Sequence, residues 1–369
     1  MSRVWSLAAV LVLAILTAPG PASASGADQA QGLAEAEKAL TVGPFSVMQK
    51  ARVPPSGDKH DFLTIAPYWW PDPTKPDGLP YIRRDGEVNP ESKRGTDDGP
   101  FAEVTAAVTT LASAFRETRD DRFAARAALL LRVWFLDEAT RMNPNLDYGQ
   151  GIPGRNTGRG AGIISTRKLV EIVEAARILA GSPSWTERDR QGFQTWCAAF
   201  AAWLQTSKNG RDESATANNH GTWYEAQLLA LLLYTGRQDD AKARFDNIKR
   251  RLASQIERDG RQPRELERTR SWHYSVMNLE GWFTVATLAE GVGVDLWNFR
   301  TEDGRSLRVA LDYLVPFAGG DTGWPHPQIT PIEWGPLITL LDRAAIVWKA
   351  DRYRALADRL RSASAPLSR

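Results

Sequence analysis

Nine stretches of this 369-residue chain repeat apolar residues at intervals of three and four, and that spacing restricts the fold more than any other feature. They run over residues 101–119, 121–140, 166–180, 186–208, 222–235, 239–257, 274–290, 306–317 and 332–347. Such spacing lines one face of a helix, so each stretch is expected to be helical. Strand-like alternation is scarce. Punctuation agrees, with Ser182-Pro183-Ser184 ahead of the helix expected at 186, Gly236 after the one at 222, and Gly291 and Gly293 after the one at 274. Short links between successive helices imply antiparallel hairpins packed side by side, and so many pairs suggest an all-α ring or solenoid. No fixed period is visible, which argues against a regular repeat family.

The first residues read differently. A basic start at Arg3, an apolar run from Leu7 to Thr17 and the small residues Ala22-Ser23-Ala24 fit a cleavable secretory signal over residues 1–24. That run is short for a membrane span, and no later stretch approaches the length needed. Residues 25–369 are then expected to form a single exported domain, periplasmic or secreted. With 43% hydrophobic residues in the whole chain, a sizeable core can be filled. The formal charge of +2, one less without Arg3, excludes a general nucleic-acid binder, so any anion site must concentrate charge locally. Cys197 is the sole cysteine, which rules out an internal disulfide, and in its apolar helical run it reads as an inert core thiol. No Cys/His spacing suggests zinc, and no cofactor is implied.

Function is sought in the three long non-helical stretches. The first, 53–98, carries Lys59-His60 and Tyr68-Trp69-Trp70-Pro71. The second, 143–165, carries Tyr148-Gly149-Gln150-Gly151, then Arg155 and Arg159 among glycines, with Arg167 just beyond. The third, 260–273, holds Arg264, Arg268, Arg270 and His273. Aromatics beside cations suit an acidic sugar, since rings stack on sugar faces and cations meet carboxylates. Lys59, His60, Tyr68, Trp69, Gln150, Arg167, Trp223 and His273 are therefore candidates for substrate binding. Trp70 and Trp272 also flank the polar loops and could line a groove, whereas Trp134, Trp203 and Trp348 read as core.

The segment Asn218-Asn219-His220-Gly221-Thr222-Trp223-Tyr224 places an amide and an imidazole where a helix is expected to begin. Asn218 or Asn219 would cap it, and unpaired N–H groups at its positive end would seat a carboxylate and help keep His220 neutral. A bland reading has Asn219 as a cap and His220 as packing. Arg268 and Tyr274 are six residues apart, too far around a helix to share a face, but a cap at Ser271 would let them meet across the corner. Alternatively, the arginines pair with Glu265 and Glu267 as a solvated charge run. A phenol titrates near ~10, and a neighbouring cation lowers an acid by about 1–3 units, so Arg268 is expected to draw Tyr274 toward neutral pH. Asn219, His220, Arg268 and Tyr274 together could hold a carboxylate and remove the proton next to it.

Lys59-His60-Asp61-Phe62 through Pro73, the Asn-Asn-His element with its Trp, and the Arg-x5-Tyr element resemble the alginate lyase superfamily over residues of about 40 to 350. The resemblance implies an incomplete toroid of paired helices acting on mannuronate-rich alginate or glucuronan. It implies that Asn219 and His220 neutralise the substrate carboxylate, that Arg268 assists, and that Tyr274 serves as base and acid. The reaction expected is a metal-independent β-elimination that leaves 4,5-unsaturated uronate ends. Two other classes fit the residues. One is a helical-toroid glycoside hydrolase using acids among Glu225, Glu265, Glu267, Asp321 and Glu333, and the other is a non-catalytic glycan-binding or export protein. Endo or exo action and oligomeric state are not encoded in these motifs.

Overall fold

The computed structural model describes residues 26–320 and 322–364, so the expected signal peptide and Asp321 lie outside the described residues. Helices dominate: α1 (Gly26–Ala39), α2 (Asp98–Thr118), α3 (Asp121–Leu131), α4 (Leu169–Leu179), α5 (Glu187–Thr206), α6 (Lys208–Ser214) and α7 (Asn219–Tyr234) in the first part. The second part holds α8 (Gln238–Ala243), α9 (Phe245–Gln255), α10 (Pro263–Leu266), α11 (Ser271–Glu290), α12 (Leu307–Leu314), α13 (Gly335–Val347) and α14 (Asp351–Ser364). Packing runs α3 on α2, α2 on α4, α4 on α7, α7 on α11, α11 on α13 and α13 on α14, with α1 against α2 and α5 against α7. The result is the expected all-α architecture, an incomplete (α/α) toroid. Among the described residues, no helix is long and apolar enough to cross a membrane.

The middle of this row explains why it holds together. Helices α7 and α11 are buried on nearly every side, with Leu228, Leu229, Leu231 and Leu232 of one and Val276, Leu279, Trp282 and Val285 of the other in the core. Each such side chain contributes roughly 1.5–3 kcal/mol when removed from water. Gly281 lets the two helices close in, since a Cβ there would stand 3.0 Å from Thr222 and 3.2 Å from the Trp223 ring. A buried polar knot fixes their register: Gln255 Oε1 accepts from Thr222 Oγ1, Asn278 Nδ2 and Trp282 Nε1, at 2.9–3.0 Å. The polar ends of α7 and α11 consequently come to the same side of the toroid.

Several boundaries differ from expectation. The stretch 121–140 ends early in a turn of π-helix over Arg132–Leu136, because the chain folds back and Met142 N–H and Thr140 Oγ1 take the carbonyls of Trp134 and Val133. The stretch 239–257 breaks at Arg244, whose guanidinium reaches back to the buried Glu225. The helix expected at 222 starts at Asn219 instead. Alanine-rich α1 and charge-rich α14 carry too weak an apolar pattern to be anticipated. Two small strand pairs also form: β1 (Leu63–Ile65) runs parallel to β4 (Tyr148–Gly151), and β2 (Trp69–Trp70) pairs antiparallel with β3 (Ile82–Arg83). They fasten the first two long loops to each other and to the rim of the toroid.

Outside that rim, Asp189 anchors the start of α5, accepting from Arg132 Nε at 2.8 Å, Arg132 Nη2 at 2.7 Å and Thr186 Oγ1 at 2.6 Å. Burial pushes its carboxyl up, but Arg132 and the Thr186 donors outweigh burial and hold it at about 2. A depressed carboxylate stabilises the fold above its unfolded value of about 4 and loses that contribution as pH falls through about 2. Asp189→Ala is expected to cost about 2 kcal/mol at neutral pH and to flatten the acid limb of a melting-temperature profile recorded between about pH 4 and pH 2.

Candidate active site

Where the loops meet the polar ends of α7 and α11, a cleft of about 500 Å³ opens, walled by Tyr68, Trp69, Gln150, Arg167, Asn219, His220, Arg268, His273 and Tyr274 among others. The expected quartet Asn219, His220, Arg268 and Tyr274 is thus assembled from residues up to 55 positions apart in sequence. Each member is held by a specific partner.

Asn218 is the cap of α7, its Oδ1 accepting from His220 N–H, and Asn219 forms the first helical residue. Asn219 is fully buried, donating its backbone N–H (2.7 Å) and its Nδ2 (2.6 Å) to the two oxygens of Glu265, which is itself buried. Burial pushes the Glu265 carboxyl up, opposed by the two Asn219 donors and by Arg268. His220 places Nδ1 2.6 Å from Oε1 of buried Glu213. A carboxylate accepts, so the proton sits on Nδ1 and the other ring nitrogen is left for the cleft.

Arg268 does not pair with Glu265 or Glu267. Its Nε and Nη2 form a fork onto Asp85, at 3.0 Å and 2.7 Å, and Thr269 adds its hydroxyl to the Asp85 carbonyl at 2.7 Å. Burial raises the Asp85 carboxyl, yet the Arg268 fork, the Thr269 N–H and Arg83 bring it well below the usual carboxylate range. The Arg268 guanidinium lies over Tyr274, 3.8 Å from the ring centre, and Tyr274 donates its hydroxyl to that of Tyr68 at 2.7 Å.

That geometry corrects the expectation for Tyr274. Burial and the neighbouring Tyr68 push its hydroxyl up, and the cation of Arg268, shared with Asp85, does not reverse them. His273 is held by Gln328, whose Oε1 accepts from Trp272 N–H and whose Nε2 therefore donates to His273 Nδ1, at 2.8 Å. Burial and the charge of Arg270 lower its pKa, so His273 faces the site as a neutral ring.

Three expected contacts are not in the cleft. Lys59 gives its carbonyl to Lys50 Nζ, and His60 turns Nδ1 onto the Arg141 carbonyl at 2.6 Å. Both belong to a clamp in which Asp61 takes Ser56, Asn143 and Asn145, so the segment braces the loops and neither residue is on the cleft wall. Trp223 is 8% exposed, packed on Gly281 with Nε1 on the Met277 carbonyl, because its helix position faces α11. Trp272 is likewise core, edge-on to Trp324 and Trp334. Trp70 lies off the cleft under Arg84, while Trp69 lines it with Arg155 over its face. Cys197 is buried, which pushes its thiol far up, as an inert core residue requires.

Sequence reasoning missed Asp85 and Glu213 altogether and treated Glu265 as a surface charge or a hydrolytic acid. Nothing local marks Asp85 and Glu265, which meet their partners across 183 and 46 residues, whereas Glu213 lies only seven residues before His220. Glu225, another proposed acid, is locked to Arg244 at 2.7 Å. Among the described residues, Asp98 is the single carboxylate on the cleft wall, and five arginines line it: Arg83, Arg159, Arg167, Arg268 and Arg270.

The alginate lyase family model matches residues 46–324. The chain belongs to the alginate lyase family. A solved alginate lyase from Bacteroides ovatus is 40% identical, with 91% of this chain and 90% of that one covered and a TM-score of 0.86. Alginate lyase A1-III from Sphingomonas species A1 shares the fold at 19% identity and a TM-score of 0.55, over 86% of this chain and 84% of that one. A variant of A1-III in complex with a tetrasaccharide gives 18% identity and a TM-score of 0.57, with 88% of each chain covered. No curated protein matches. The chain is accordingly a polysaccharide lyase, which removes the hydrolase and scaffold alternatives.

Since Glu213 sets the His220 ring, Glu213→Gln should disturb the tautomer with little loss of fold. A fall of about 100-fold in kcat, with the melting temperature nearly unchanged, is expected from steady-state kinetics and thermal melts of the pure variant.

Proposed function

We propose that this lyase cleaves a β-1,4-linked polyuronate, mannuronate-rich alginate or glucuronan, by metal-independent β-elimination that leaves 4,5-unsaturated uronate ends. The observation that carries this reading is the Tyr68–Tyr274 hydroxyl pair with Arg268 over the Tyr274 ring, in an arginine-lined cleft that His220 also lines. The 40% identical protein from Bacteroides ovatus is an alginate lyase, which supports alginate as a substrate.

Elimination requires removal of the C5 proton beside the carboxylate and protonation of the departing O4. In β-1,4-linked mannuronate or glucuronate the C5 hydrogen and O4 lie on one face of the ring, so one hydroxyl group can reach both. A phenol pushed upward is rarely ionised at neutral pH, which argues against a standing tyrosinate. Tyr274 instead accepts the C5 proton as its own proton leaves, either directly to O4 or through the hydroxyl of Tyr68. No free phenolate has to accumulate, and a raised pKa then costs little.

Negative charge grows on the carboxylate as the C5–H bond breaks, and donors already in place lower that barrier. Arg268 offers the N–H groups that Asp85 leaves free and the region around Asn219 the positive end of α7, whereas His220, whose Nδ1–H is given to Glu213, donates from its open nitrogen only as an imidazolium with Glu213 as counter-ion. These are fixed dipoles and cations aimed at a developing enediolate, which is why the mechanism calls for no metal. Mannuronate and glucuronate differ at C2, away from these groups, so both remain substrates in this proposal. We further propose that residues 1–24 direct the enzyme to the periplasm or the medium, where such polymers are met.

Incubation with polymannuronate, polyguluronate, glucuronan and hyaluronan, followed by ultraviolet absorbance of the unsaturated uronate, tests the proposal. Absorbance should rise with polymannuronate or glucuronan, and Tyr274→Phe should slow that rise by a factor of about 10³ or more. Binding without double-bond formation, or near-full activity of the Phe variant, would refute the mechanism.

A further inference from the structure

The arginines of the cleft are not equivalent. Arg268 and Arg83 both reach Asp85, so their charge is largely answered within the protein. Arg159 is different. Its Nε donates to the Gln150 carbonyl at 3.2 Å and its Nη2 to Gln150 Oε1 at 2.8 Å, both of them neutral acceptors. It forms no ion pair among the described residues, and Glu213, the acid whose charge acts on it, is already engaged by His220.

A half-buried guanidinium facing neutral acceptors gives up hydration without a counter-charge. Burial and the repulsion of Arg83 press on its charged form accordingly, with Glu213 opposing. The chain nonetheless builds this position firmly. Gln150 adopts φ +49, a strained value for a residue with a side chain, and its N–H is tied to Thr64 Oγ1 at 2.8 Å. On either side of Arg159, a Cβ at Gly158 or Gly162 would collide with the backbone of Asp147 or Gly149, and one at Gly160 would stand 2.8 Å from the Asn209 carbonyl. The local backbone is wedged so that one edge of the guanidinium, Nε with Nη2, is consumed by Gln150. The other edge, Nη1 with Nη2, is left with no bond from Nη1.

We propose that Arg159, oriented by Gln150, is a carboxylate-binding residue of the cleft, taking a uronate carboxyl of the substrate through its free Nη1–Nη2 edge. This rests on the polyuronate reading above and assigns it a specific anion contact. The location is on the wall of the main cleft, beside Asn218 and His220. Arg159, Ala161, Asn218 and His220 border both the main cleft and an adjoining hollow of about 280 Å³ whose wall also carries Asp212 and Glu213, so an anion meets Arg159 from the side of the main cleft, next to His220. A planar fork matches a carboxylate in two parallel hydrogen bonds, which an ammonium group does not reproduce.

Binding is measured by calorimetry in the Tyr274→Phe background, where substrate survives, with an oligouronate of the polymer that the parent cleaves and with its carboxyl-reduced counterpart. Arg159→Gln should raise Kd for the oligouronate about 30-fold and Arg159→Lys about tenfold, with little change toward the reduced sugar. Thermal melts check that each variant is folded, and the Lys variant, which keeps charge and bulk, preserves the test should the Gln variant unfold. Undiminished affinity in folded variants, or equal losses for the charged and the reduced sugar, would overturn the role of Arg159 alone. If the Tyr274→Phe protein with Arg159 intact binds no polyuronate, the functional reading itself falls, and this inference with it.

Discussion

The fully buried pair of Asn219 and Glu265 is the contact on which the site depends. One carboxyl takes both the backbone N–H and the side-chain amide of the first residue of α7, at 2.7 Å and 2.6 Å. The helix start is thereby fastened to α10, one turn before Arg268 and just ahead of α11. A helix can slide or rotate by small amounts against a greasy neighbour at modest cost, but two short hydrogen bonds to one buried carboxyl define a single position. His220 follows Asn219 in the chain and Arg268 follows Glu265 by three, so fixing this pair fixes the distance between the imidazole and the guanidinium. The polar knot around Gln255 repeats the same constraint deeper between α7, α9 and α11.

From that anchor the charges fall into layers. Each working group is backed by one partner behind it: Glu265 for Asn219, Glu213 for His220, Asp85 for Arg268, Tyr68 for Tyr274. The carboxylates orient donors, and they also cancel part of the positive charge that the donors were expected to supply. Attraction for a polyanion is then left to arginines without an acidic partner. This division lets the catalytic donors stay rigid in the empty enzyme while the surrounding cations remain available to a ligand.

The helices were legible because α3, α4 and α12 carry apolar residues on one face and α7 and α11 carry long apolar runs, and Asn219, His220, Arg268 and Tyr274 because their types at two helix starts suggest one chemistry. What was not legible is long-range. The Lys59-His60-Asp61 segment looked like a binding loop, yet its groups close on Arg141, Asn143 and Asn145 more than eighty residues away. Trp223 sits beside the site in sequence but points into the seam with α11, a choice made by helix phase and Gly281. The ionisation of Tyr274 was misjudged for a similar reason. A neighbouring cation was visible in the motif, whereas the burial of the phenol and the Asp85 that shares the cation were not.

The position of Asp85 ties the two halves of the mechanism together. It lies on the loop that contains Tyr68 and Trp69, two residues past β3, and it grips Arg268 and Thr269 on the segment leading into α11. Gly86, at φ +77, allows the loop to press against that segment, since a Cβ there would meet Thr269 Oγ1 and stand 3.1 Å from Arg270. The same attachment therefore sets the Arg268 guanidinium over the Tyr274 ring and delivers the Tyr68 hydroxyl to Tyr274. Charge stabilisation and proton movement are normally separable contributions, because they use different groups. In this fold they share a fastening, so a change at Asp85 acts on both, and the effects of Asp85, Arg268 and Tyr68 substitutions are coupled instead of additive.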